Sequence, residues 1–191
     1  MRLVMIALLV LLVYGWPTSA HPHIWIDGTF DLELDSGGLR SLGVSWLFDE
    51  FNSAQMIGMF DDNRDGLISA SESEDFRLEA FEHLRDRDYF VLASLGQERL
   101  AIPDARSFKA LVENGKLRYS FELPLRVHWT DLEGLVFAFF DPSYFTDFLS
   151  TARRETYTFE HRELLLISRT LRLESKGWGT IRVPALQAGL R

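Results

Sequence analysis

Residues 24–48 read IWIDGTFDLELDSGGLRSLGVSWLF, and apolar and polar side chains alternate along most of this stretch. From Ile24 to Leu34 every even position except Gly28 is apolar, which is the pattern of a strand with one buried face. Asp35-Ser-Gly-Gly38 has the composition of a turn, and the alternation resumes from Leu39 to Phe48. The stretch therefore predicts two antiparallel strands joined by a short turn, with a bulge at Gly28.

Helical periodicity replaces the alternation after this hairpin. Apolar residues recur at helical spacing from Asp49 to Phe60, and the same spacing predicts a second helix from about Ser69 to Arg87. We therefore expect an α+β fold, in which a mostly antiparallel β framework carries an inserted helix–calcium loop–helix unit, similar to an EF-hand, at about 49–87. Further strands are predicted at 89–95, 99–102, 117–125, 135–140, 156–159 and 164–168.

The N-terminus has the pattern of a secretory signal peptide. A positive residue precedes the apolar run Leu3–Val13, and Thr18-Ser-Ala20 offers small residues to a signal peptidase. An uncleaved anchor helix is the alternative, but a spanning helix needs about 20 apolar residues, more than this run contains. We therefore expect removal of a signal peptide at 1–20, which leaves a secreted, periplasmic protein with one domain at 21–175 and a loosely ordered tail at 176–191.

The composition limits the partners and the metal chemistry. The net charge of −8 disfavours nucleic acid and anionic membrane as partners. After cleavage no stretch is apolar enough for direct membrane insertion. The chain has no cysteine, which excludes disulfides, thiolate metal sites and thiol nucleophiles. Any metal must therefore be held by histidine nitrogens and by carboxylate, amide, hydroxyl or backbone oxygens.

Residues 61–72 read DDNRDGLISASE and match the calcium-loop pattern D-x-[DN]-x-[DN]-G-x5-E at each fixed position. Calcium takes about six to eight oxygen ligands, which such a loop wraps around the ion. The alternative is a solvated acidic linker, since Asp, Asn and Ser favour loops. No second loop of this kind follows, so we expect calcium to be structural. The predicted ligands are the side chains of Asp61, Asn63 and Asp65, the carbonyl of Leu67, Ser69 directly or through water, and both carboxylate oxygens of Glu72.

A second metal site is predicted at the mature amino terminus. Cleavage leaves His21-Pro22-His23, where the terminal amine and the His21 ring can chelate one ion and His23 can join them from the same side of an extended chain. Neutral nitrogen ligands suit zinc, nickel, cobalt or copper. The alternative is a flexible polar terminus without function. His128, in a strand-like stretch, and Asp141, after another predicted strand, are weaker candidates for further ligands.

Four segments of the sequence carry a family resemblance, and they are His21-Pro-His-Ile-Trp-Ile-Asp27, Trp46 to Phe51, the calcium-type loop and Phe140-Asp-Pro-Ser-Tyr-Phe145. They resemble the bacterial secreted family known as domain of unknown function 1007, over most of residues 21 to 150. Its members are often labelled periplasmic components of ABC-type transport systems, and they look like partners of nickel/cobalt-type permeases, including a zinc-uptake pair. The resemblance implies metal handling and points to His21 and His23.

Three functions follow from these observations. The leading one is a periplasmic metal-binding accessory protein that presents zinc, nickel or cobalt to an inner-membrane permease. The second is a calcium-stabilised interaction or scaffold module in which the histidines matter little. The third is an enzyme, such as a copper oxidase using the terminal histidines. We expect no enzymatic activity, because the sequence has no Ser/His/Asp order, no His-Glu-x-x-His helix and no glycine-rich phosphate loop.

Overall fold

The strands of this protein form two sheets. The computed structural model describes residues 23–177 and 179–190, and of these residues 54% are in strands and 21% are helical. The strands are β1 (Ile24–Asp35), β2 (Gly38–Phe48), β3 (Val91–Leu95), β4 (Glu98–Arg99), β5 (Arg106–Glu113), β6 (Lys116–Leu123), β7 (Val127–His128), β8 (Leu135–Phe139), β9 (Thr146–Ala152), β10 (Thr156–Phe159), β11 (Arg162–Ser175) and β12 (Gly179–Leu190). The helical segments are α1 (Glu50–Phe60), α2 (Ala70–Phe76), a π-helical segment (Arg77–Phe81) and two 3₁₀ segments (Glu82–Phe90 and Trp129–Asp131).

The first sheet is built on the β1–β2 hairpin. The two strands pair antiparallel from Ile26 opposite Phe48 to Asp35 opposite Gly38. The strand order is β5-β6-β2-β1-β9, with β7 on the start of β2, and β9 lies parallel to β1. The second sheet has the order β10-β11-β12-β8-β3-β4, and its pairings are antiparallel. The hairpin therefore sits inside the first sheet, where its inward face covers the core.

Aromatic side chains from both sheets meet in one core. The ring of Phe30 on β1 stacks on that of Phe139 on β8, with centroids 4.0 Å apart. Gly28 lies beside the Phe139 ring, which a Cβ atom at that position would overlap. The register shift of the hairpin lies between Glu33 and Leu34. The predicted bulge at Gly28 is therefore wrong, and this glycine instead makes room for a ring from the opposite sheet.

The predicted α+β class with an inserted EF-hand-like unit is wrong. The chain is mostly β, and α1 is the one real helix in the part of the chain that the structure describes. The second helix predicted at Ser69–Arg87 is replaced by three short segments in succession: the seven-residue α2, the π-helical segment and the first 3₁₀ segment. No helix–loop–helix unit of the EF-hand type is evident among these residues.

The spacing of buried aromatic residues explains why that second helix breaks up. Phe76 and Phe81 are both buried, and they are five positions apart. Five residues of α-helix turn through about 500°, so one of the two rings would point away from the core. A π-helical turn, with its i→i+5 hydrogen bonds, returns both to one face. The first 3₁₀ segment, which follows, ends in three consecutive left-handed residues, Asp88, Tyr89 and Phe90, with φ of 52°, 50° and 52°.

The C-terminal segment also differs from its prediction. The tail expected to be loosely ordered at 176–191 is a strand over Gly179–Leu190, which pairs with β11 along its whole length. Leu186 and Ala188 of this strand are buried, which accounts for its order. The predicted signal peptide, residues 1–20, lies outside the described residues. Within those that are described, we find no helix with the length and apolar character needed to cross a membrane.

Candidate metal-binding sites

The loop at 61–72 begins where α1 ends. Asp61 is the C-cap of α1, and its amide donates to the carbonyl of Ile57 at 2.8 Å. Its carboxylate turns into the loop, where Oδ1 accepts the amide of Asp65 at 3.1 Å and Oδ2 accepts the amide of Gly66 at 2.8 Å. Gly66 has a φ of +78°, which glycine adopts without a steric penalty. The first predicted ligand is thus fixed by the loop that would surround the ion.

The next two predicted ligands are fixed in the same way. Asn63 Oδ1 accepts the amide of Asp65 at 2.9 Å, and Asn63 Nδ2 donates to Asp65 Oδ2 at 3.0 Å. Asp65 Oδ1 in turn accepts the amide of Leu67 at 2.8 Å. The side-chain oxygens therefore point into the loop, which folds around its own negative charges.

Glu72 joins the two ends of the loop. Its Oε2 accepts the amide of Ser69 at 2.7 Å, while Ser69 Oγ accepts the amide of Glu72 at 3.3 Å, a capping box at the start of α2. Its Oε1 accepts the amide of Asp62, at the start of the loop, at 2.9 Å. Hydrogen bonds from the amide and hydroxyl of Ser69, with smaller contributions from the amides of Asp62 and Asn63, lower the pKa of Glu72. Glu72 is only 5% exposed, so an ionised carboxylate is held close to the protein interior.

The donor atoms of this loop suit a hard divalent cation. Each predicted ligand is an oxygen, and calcium takes oxygen ligands at about 2.3–2.6 Å. Within residues 23–177 and 179–190, however, no group of three or more His, Cys, Asp or Glu side chains is arranged to hold a metal ion. The loop oxygens accept hydrogen bonds from the loop's own amides instead. Binding would therefore require Asp61, Asp65 and Glu72 to converge on the ion.

The second predicted site begins at the edge of the described chain. His21 lies outside the described residues, whereas His23 is exposed immediately before β1. The amide of His23 donates to the carbonyl of Phe145 at 2.9 Å, and the two rings lie 4.8 Å apart. The carbonyl of His23 accepts from Asn52 Nδ2 at 3.1 Å. The backbone of His23 is thus held on one side by the segment before β9 and on the other by α1.

Asp49 connects the start of β1 to α1. Its Oδ1 accepts the amide of Asn52 at 3.0 Å, which makes Asp49 the N-cap of α1. Its Oδ2 accepts the amide of Trp25 at 3.1 Å. Partial burial acts to raise the pKa of Asp49, but the hydrogen bonds from Asn52 and Trp25 outweigh it and lower that pKa. The oxygens of this carboxylate are used to position the backbone next to His23.

The structure does not bring His128 together with His23. His128 pairs with Gly38 at the turn end of the β1–β2 hairpin, whereas His23 lies at the opposite end of β1. A strand rises about 3.3 Å per residue, so the length of β1 separates them by roughly 35 Å. The His128 ring instead caps a 3₁₀ segment through contacts with Thr130. His128 therefore cannot share an ion with His23 of the same chain.

Asp141 lies at the same end of the molecule as His23, but its oxygens are already engaged. Oδ1 accepts the amide of Ser143 at 2.8 Å and its hydroxyl at 2.6 Å. Oδ2 accepts the amide of Thr146 at 3.0 Å, at the start of β9. The side chain is buried. Asp141 therefore shapes the turn that places Phe145 beside His23, and the structure does not aim it at a metal.

Two residues near His23 were not predicted from the sequence. Asn52 bonds to the carbonyl of His23, and Asp147 lies opposite Trp25 in the parallel β1–β9 ladder. Burial raises the pKa of Asp147. Both contacts join residues far apart in the chain, so neither a local motif nor a periodicity shows them. The capping box of Ser69 and Glu72, in contrast, has a short sequence signature that could have been found.

Comparisons with known proteins find a matching family model and one curated relative. A family model described as "Protein of unknown function (DUF1007)" matches residues 6–163, more than half of the chain. An "Uncharacterized 15.5 kDa protein in trpE 3'region" from Spirochaeta aurantia is 28% identical over 92 residues, which are 48% of this chain and 66% of that protein. The match thus spans slightly less than two thirds of this relative. No solved structure matches the chain.

Proposed function

Since the chain belongs to the DUF1007 family of proteins of unknown function, we propose a function from its own residues: it is a periplasmic metal-binding accessory protein. The loop at 61–72 binds calcium, which stabilises the fold. The mature amino terminus, with His21 and His23, binds zinc, nickel or cobalt and presents the ion to an inner-membrane permease. The two sites use different donor atoms, oxygen in the loop and nitrogen at the terminus, so they select different metals.

The position of the Glu72 carboxylate is the observation that supports the calcium site of this proposal. It accepts hydrogen bonds from Asp62 at the opening of the loop and from Ser69 near its close. A calcium ion needs a carboxylate at this place, because the last loop residue closes the coordination sphere. Extracellular calcium modules bind with dissociation constants of about 10⁻⁴ to 10⁻³ M. At ten times that constant, calcium would stabilise the fold by about 1.4 kcal/mol.

The placement of His23 supports the transition-metal site. Its backbone is held between Phe145 and Asn52, so the terminal residues start from an ordered strand. The preceding residues carry the remaining nitrogen donors, the His21 ring and the new terminal amine. An ion bound there would lie at an exposed end of the first sheet, where a permease could reach it.

A calcium-stabilised interaction module is the second candidate, and one observation favours it. Trp25, Phe145 and Leu149 are all exposed, and Trp25 and Leu149 share the outer face of the β1–β9 ladder. Exposed apolar side chains close together are typical of surfaces that bind another protein. In that function the patch would bind the partner, and the histidines would be dispensable.

Calorimetric titration of the mature protein, starting at His21, with calcium, zinc, nickel and cobalt separately tests the proposal. Glu72→Gln keeps the capping box but removes the closing charge, so it should lose calcium binding while zinc binding persists. The matched control Asp62→Asn removes an exposed loop carboxylate that is not a predicted ligand, and it should bind calcium normally. His23→Ala, or one extra residue ahead of His21, should weaken zinc without changing calcium. Unchanged zinc affinity in both of these variants would rule out the terminal metal site, and the interaction module would then be the remaining candidate function.

A further inference from the structure

The two sheets differ in the chemistry of their outer faces. On the first sheet the side chains that point away from the core are mostly polar, such as Thr29, Ser45 and Ser120, which lie side by side on β1, β2 and β6. On the second sheet the outward side chains are mostly apolar. We propose that this apolar outer face binds an acidic amphipathic helix of another protein. The proposal goes beyond the two metal sites and depends on neither of them.

The pairing of the strands determines which residues form the apolar outer face. Phe137 on β8 and Leu186 on β12 lie opposite each other and are buried in the core between the sheets. Because side chains alternate along a strand, the residues next to them point outward, and Ala138 lies beside Ala185 on the outer face. The apolar members of this face are Leu92 on β3, Val136 and Ala138 on β8, Phe140 directly after β8, Ile181, Val183 and Ala185 on β12, and Ile167, Leu171 and Leu173 on β11.

Most of these residues form an apolar cluster that is separate from the main core. Ala138, Val183 and Ala185 are its buried members, and the residues packed against them lie on β8, β11 and β12 or directly after β8. Within the described residues, the apolar packing of this cluster therefore comes from the sheet alone. Ala138 and Ala185 have short side chains, so they form the floor of a shallow groove beside larger neighbours such as Leu92, which lies opposite Ala138.

An apolar face of this extent is unusual for a sheet that faces water. In an antiparallel sheet with one solvated face, that face carries polar side chains. Neighbouring strands lie about 4.8 Å apart and each residue adds about 3.3 Å, so the face from β3 to β11, and from Ile167 to Leu173 along β11, measures roughly 15 by 20 Å, or about 300 Å². Contiguous apolar patches of about 300–600 Å² on a monomer are often functional. The apolar outer face therefore has the size of a binding surface.

A helix suits this face better than a second copy of the chain or an extended peptide does. Each partner in a standard protein–protein interface buries about 800 Å², which is more than twice the area of this face. An extended peptide laid across the face would press unpaired N–H and C=O groups against apolar side chains. A helix pairs these groups internally, is about 10–12 Å wide and reaches about 20 Å in about 13 residues. One amphipathic helix of that length therefore covers the face.

The charges beside the face favour an acidic helix. Arg169 lies on the outer face opposite Ala185, and its Nε donates to the neutral amide oxygen of Gln187 at 2.8 Å. Lys176 follows β11, and at strand spacing it lies roughly 23 Å from Arg169. Carboxylates near the two ends of a bound helix would pair with these two cations. Although the chain has a net charge of −8, the hairpin of β11 and β12 carries five cations, Arg162, Arg169, Arg172, Lys176 and Arg182, and two anions, Glu163 and Glu174.

Two stapled helical peptides test the proposal on the mature protein. Both have about 13 residues and the same leucine face, and they differ only in carrying glutamates or lysines on the polar face. Fluorescence anisotropy with labelled peptides gives their Kd values. We expect the glutamate peptide to bind about tenfold more tightly than the lysine peptide, and added salt to reduce this preference because it screens exposed ion pairs. The net charge of −8 by itself favours the lysine peptide, so tighter binding of the lysine peptide contradicts the proposal.

Three variants locate the bound peptide. Leu171→Gln places a polar group in the apolar outer face and should weaken binding of the glutamate peptide by about tenfold. The matched control Leu111→Gln changes a leucine that is 37% exposed on β5, in the first sheet, and should leave the Kd unchanged. Arg169→Glu should reverse the order of the two peptides, because it replaces a cation of the face by a carboxylate. Thermal melting verifies that each variant is folded.

The other outcomes identify a different surface or a different occupant, and each overturns the proposal. A peptide affinity that Leu171→Gln leaves unchanged but Leu149→Gln lowers assigns the binding to the exposed patch with Trp25. Self-association in sedimentation runs that Leu171→Gln abolishes identifies a second copy as the occupant. Binding to phosphatidylglycerol vesicles that Leu171→Gln abolishes identifies a membrane surface, although the net charge of −8 opposes its approach. Failure of both peptides to bind excludes a helical partner for this face.

Discussion

Trp46 and Tyr119 each bury a polar atom that lacks a hydrogen-bond partner within the part of the chain that the structure describes. The two residues face each other across β2 and β6, and burial raises the pKa of Tyr119. A buried hydroxyl without a partner costs about 1–3 kcal/mol, so its removal relieves that cost. We therefore expect Tyr119→Phe to leave the free energy of unfolding unchanged or to raise it by up to about 1 kcal/mol, as measured by urea denaturation.

Tyr157 offers the matched control for that substitution. Its hydroxyl donates to Asp31 Oδ1 at 3.1 Å, and burial, with a smaller effect of the Asp31 charge, raises the pKa of Tyr157 to about 12. Tyr157→Phe should lower the free energy of unfolding by about 1 kcal/mol, because it leaves Asp31 with one partner fewer. Equal destabilisation by the two substitutions would show that Tyr119 has a partner, such as a buried water.

Gly28 and Gly58 should respond to alanine in opposite ways. At Gly28 a Cβ would overlap the Phe139 ring in the core between the sheets, whereas at Gly58 it would meet open space. Gly28→Ala should therefore lower the free energy of unfolding by about 1–3 kcal/mol through overpacking. Gly58→Ala should raise it by about 0.5–1 kcal/mol through helix propensity. Thermal melting of the two variants side by side checks the signs, and stabilisation by Gly28→Ala would contradict this description of the core.

Among the elements, the turn before β3 stores backbone strain. Asp88, Tyr89 and Phe90 are all left-handed, a conformation that costs a non-glycine residue about 1–2 kcal/mol. Asp88 also pairs with Arg99 at 2.9 Å, but both side chains are exposed, so that pair contributes about 0–1 kcal/mol. We expect Asp88→Gly to raise the thermal midpoint by a few degrees. Arg99→Ala measures the ion pair separately, and a lower midpoint for Asp88→Gly than for Arg99→Ala would contradict the strain.

An alternating apolar face led to the correct prediction of some strands, whereas other elements were missed. The alternation placed β1, β2 and β10 within about a residue of their observed bounds. β9 was missed because its inward positions include Thr146 and Ser150 beside Phe148, so no apolar alternation marks the strand. The second helix failed because Phe76 and Phe81 follow a π-helical period, which a search at 3.6 residues reads as α-helix.

Which residues of the candidate sites could be predicted from the sequence depends on whether their contacts are local or distant in the chain. The loop from Asp61 to Glu72 is a local motif, so its residues could be named in order from the sequence. The neighbours of His23 could not, because Asn52 and Phe145 reach it only after the strands pair. Asp141 was a candidate ligand because it follows a predicted strand. Its oxygens instead accept hydrogen bonds from the amides of the turn that follows it. A carboxylate beside a strand end is therefore a weak signal for a metal without knowledge of its hydrogen bonds.

For the molecule as a whole, the carboxylates around α1 and its loop determine how stability depends on pH. Hydrogen bonds lower the pKa of Glu72 below its ordinary value of 4.5, and those at Asp49 also give a net lowering. A lowered folded-state pKa contributes stability that is fully present above the unfolded-state value and is lost as the pH falls through the folded one. Asp147, whose pKa burial raises, acts in the opposite direction and partly offsets this loss.

We therefore expect the thermal midpoint to fall as the pH drops below about 4.5, and the stabilising effect of calcium to vanish over the same range. An ionised Glu72 accepts one amide on each of its two oxygens and supplies the charge that the proposed calcium site needs, so one residue controls both effects. Glu72→Gln should show a weaker loss in acid and no calcium shift at pH 7. Asp62→Asn, which changes an exposed carboxylate of the same loop, should behave like the parent. Melting curves from pH 7 to pH 3, with and without calcium, measure these differences. A calcium shift that persists in Glu72→Gln would mean that the ion acts by screening the net charge of −8 and that it does not occupy the loop.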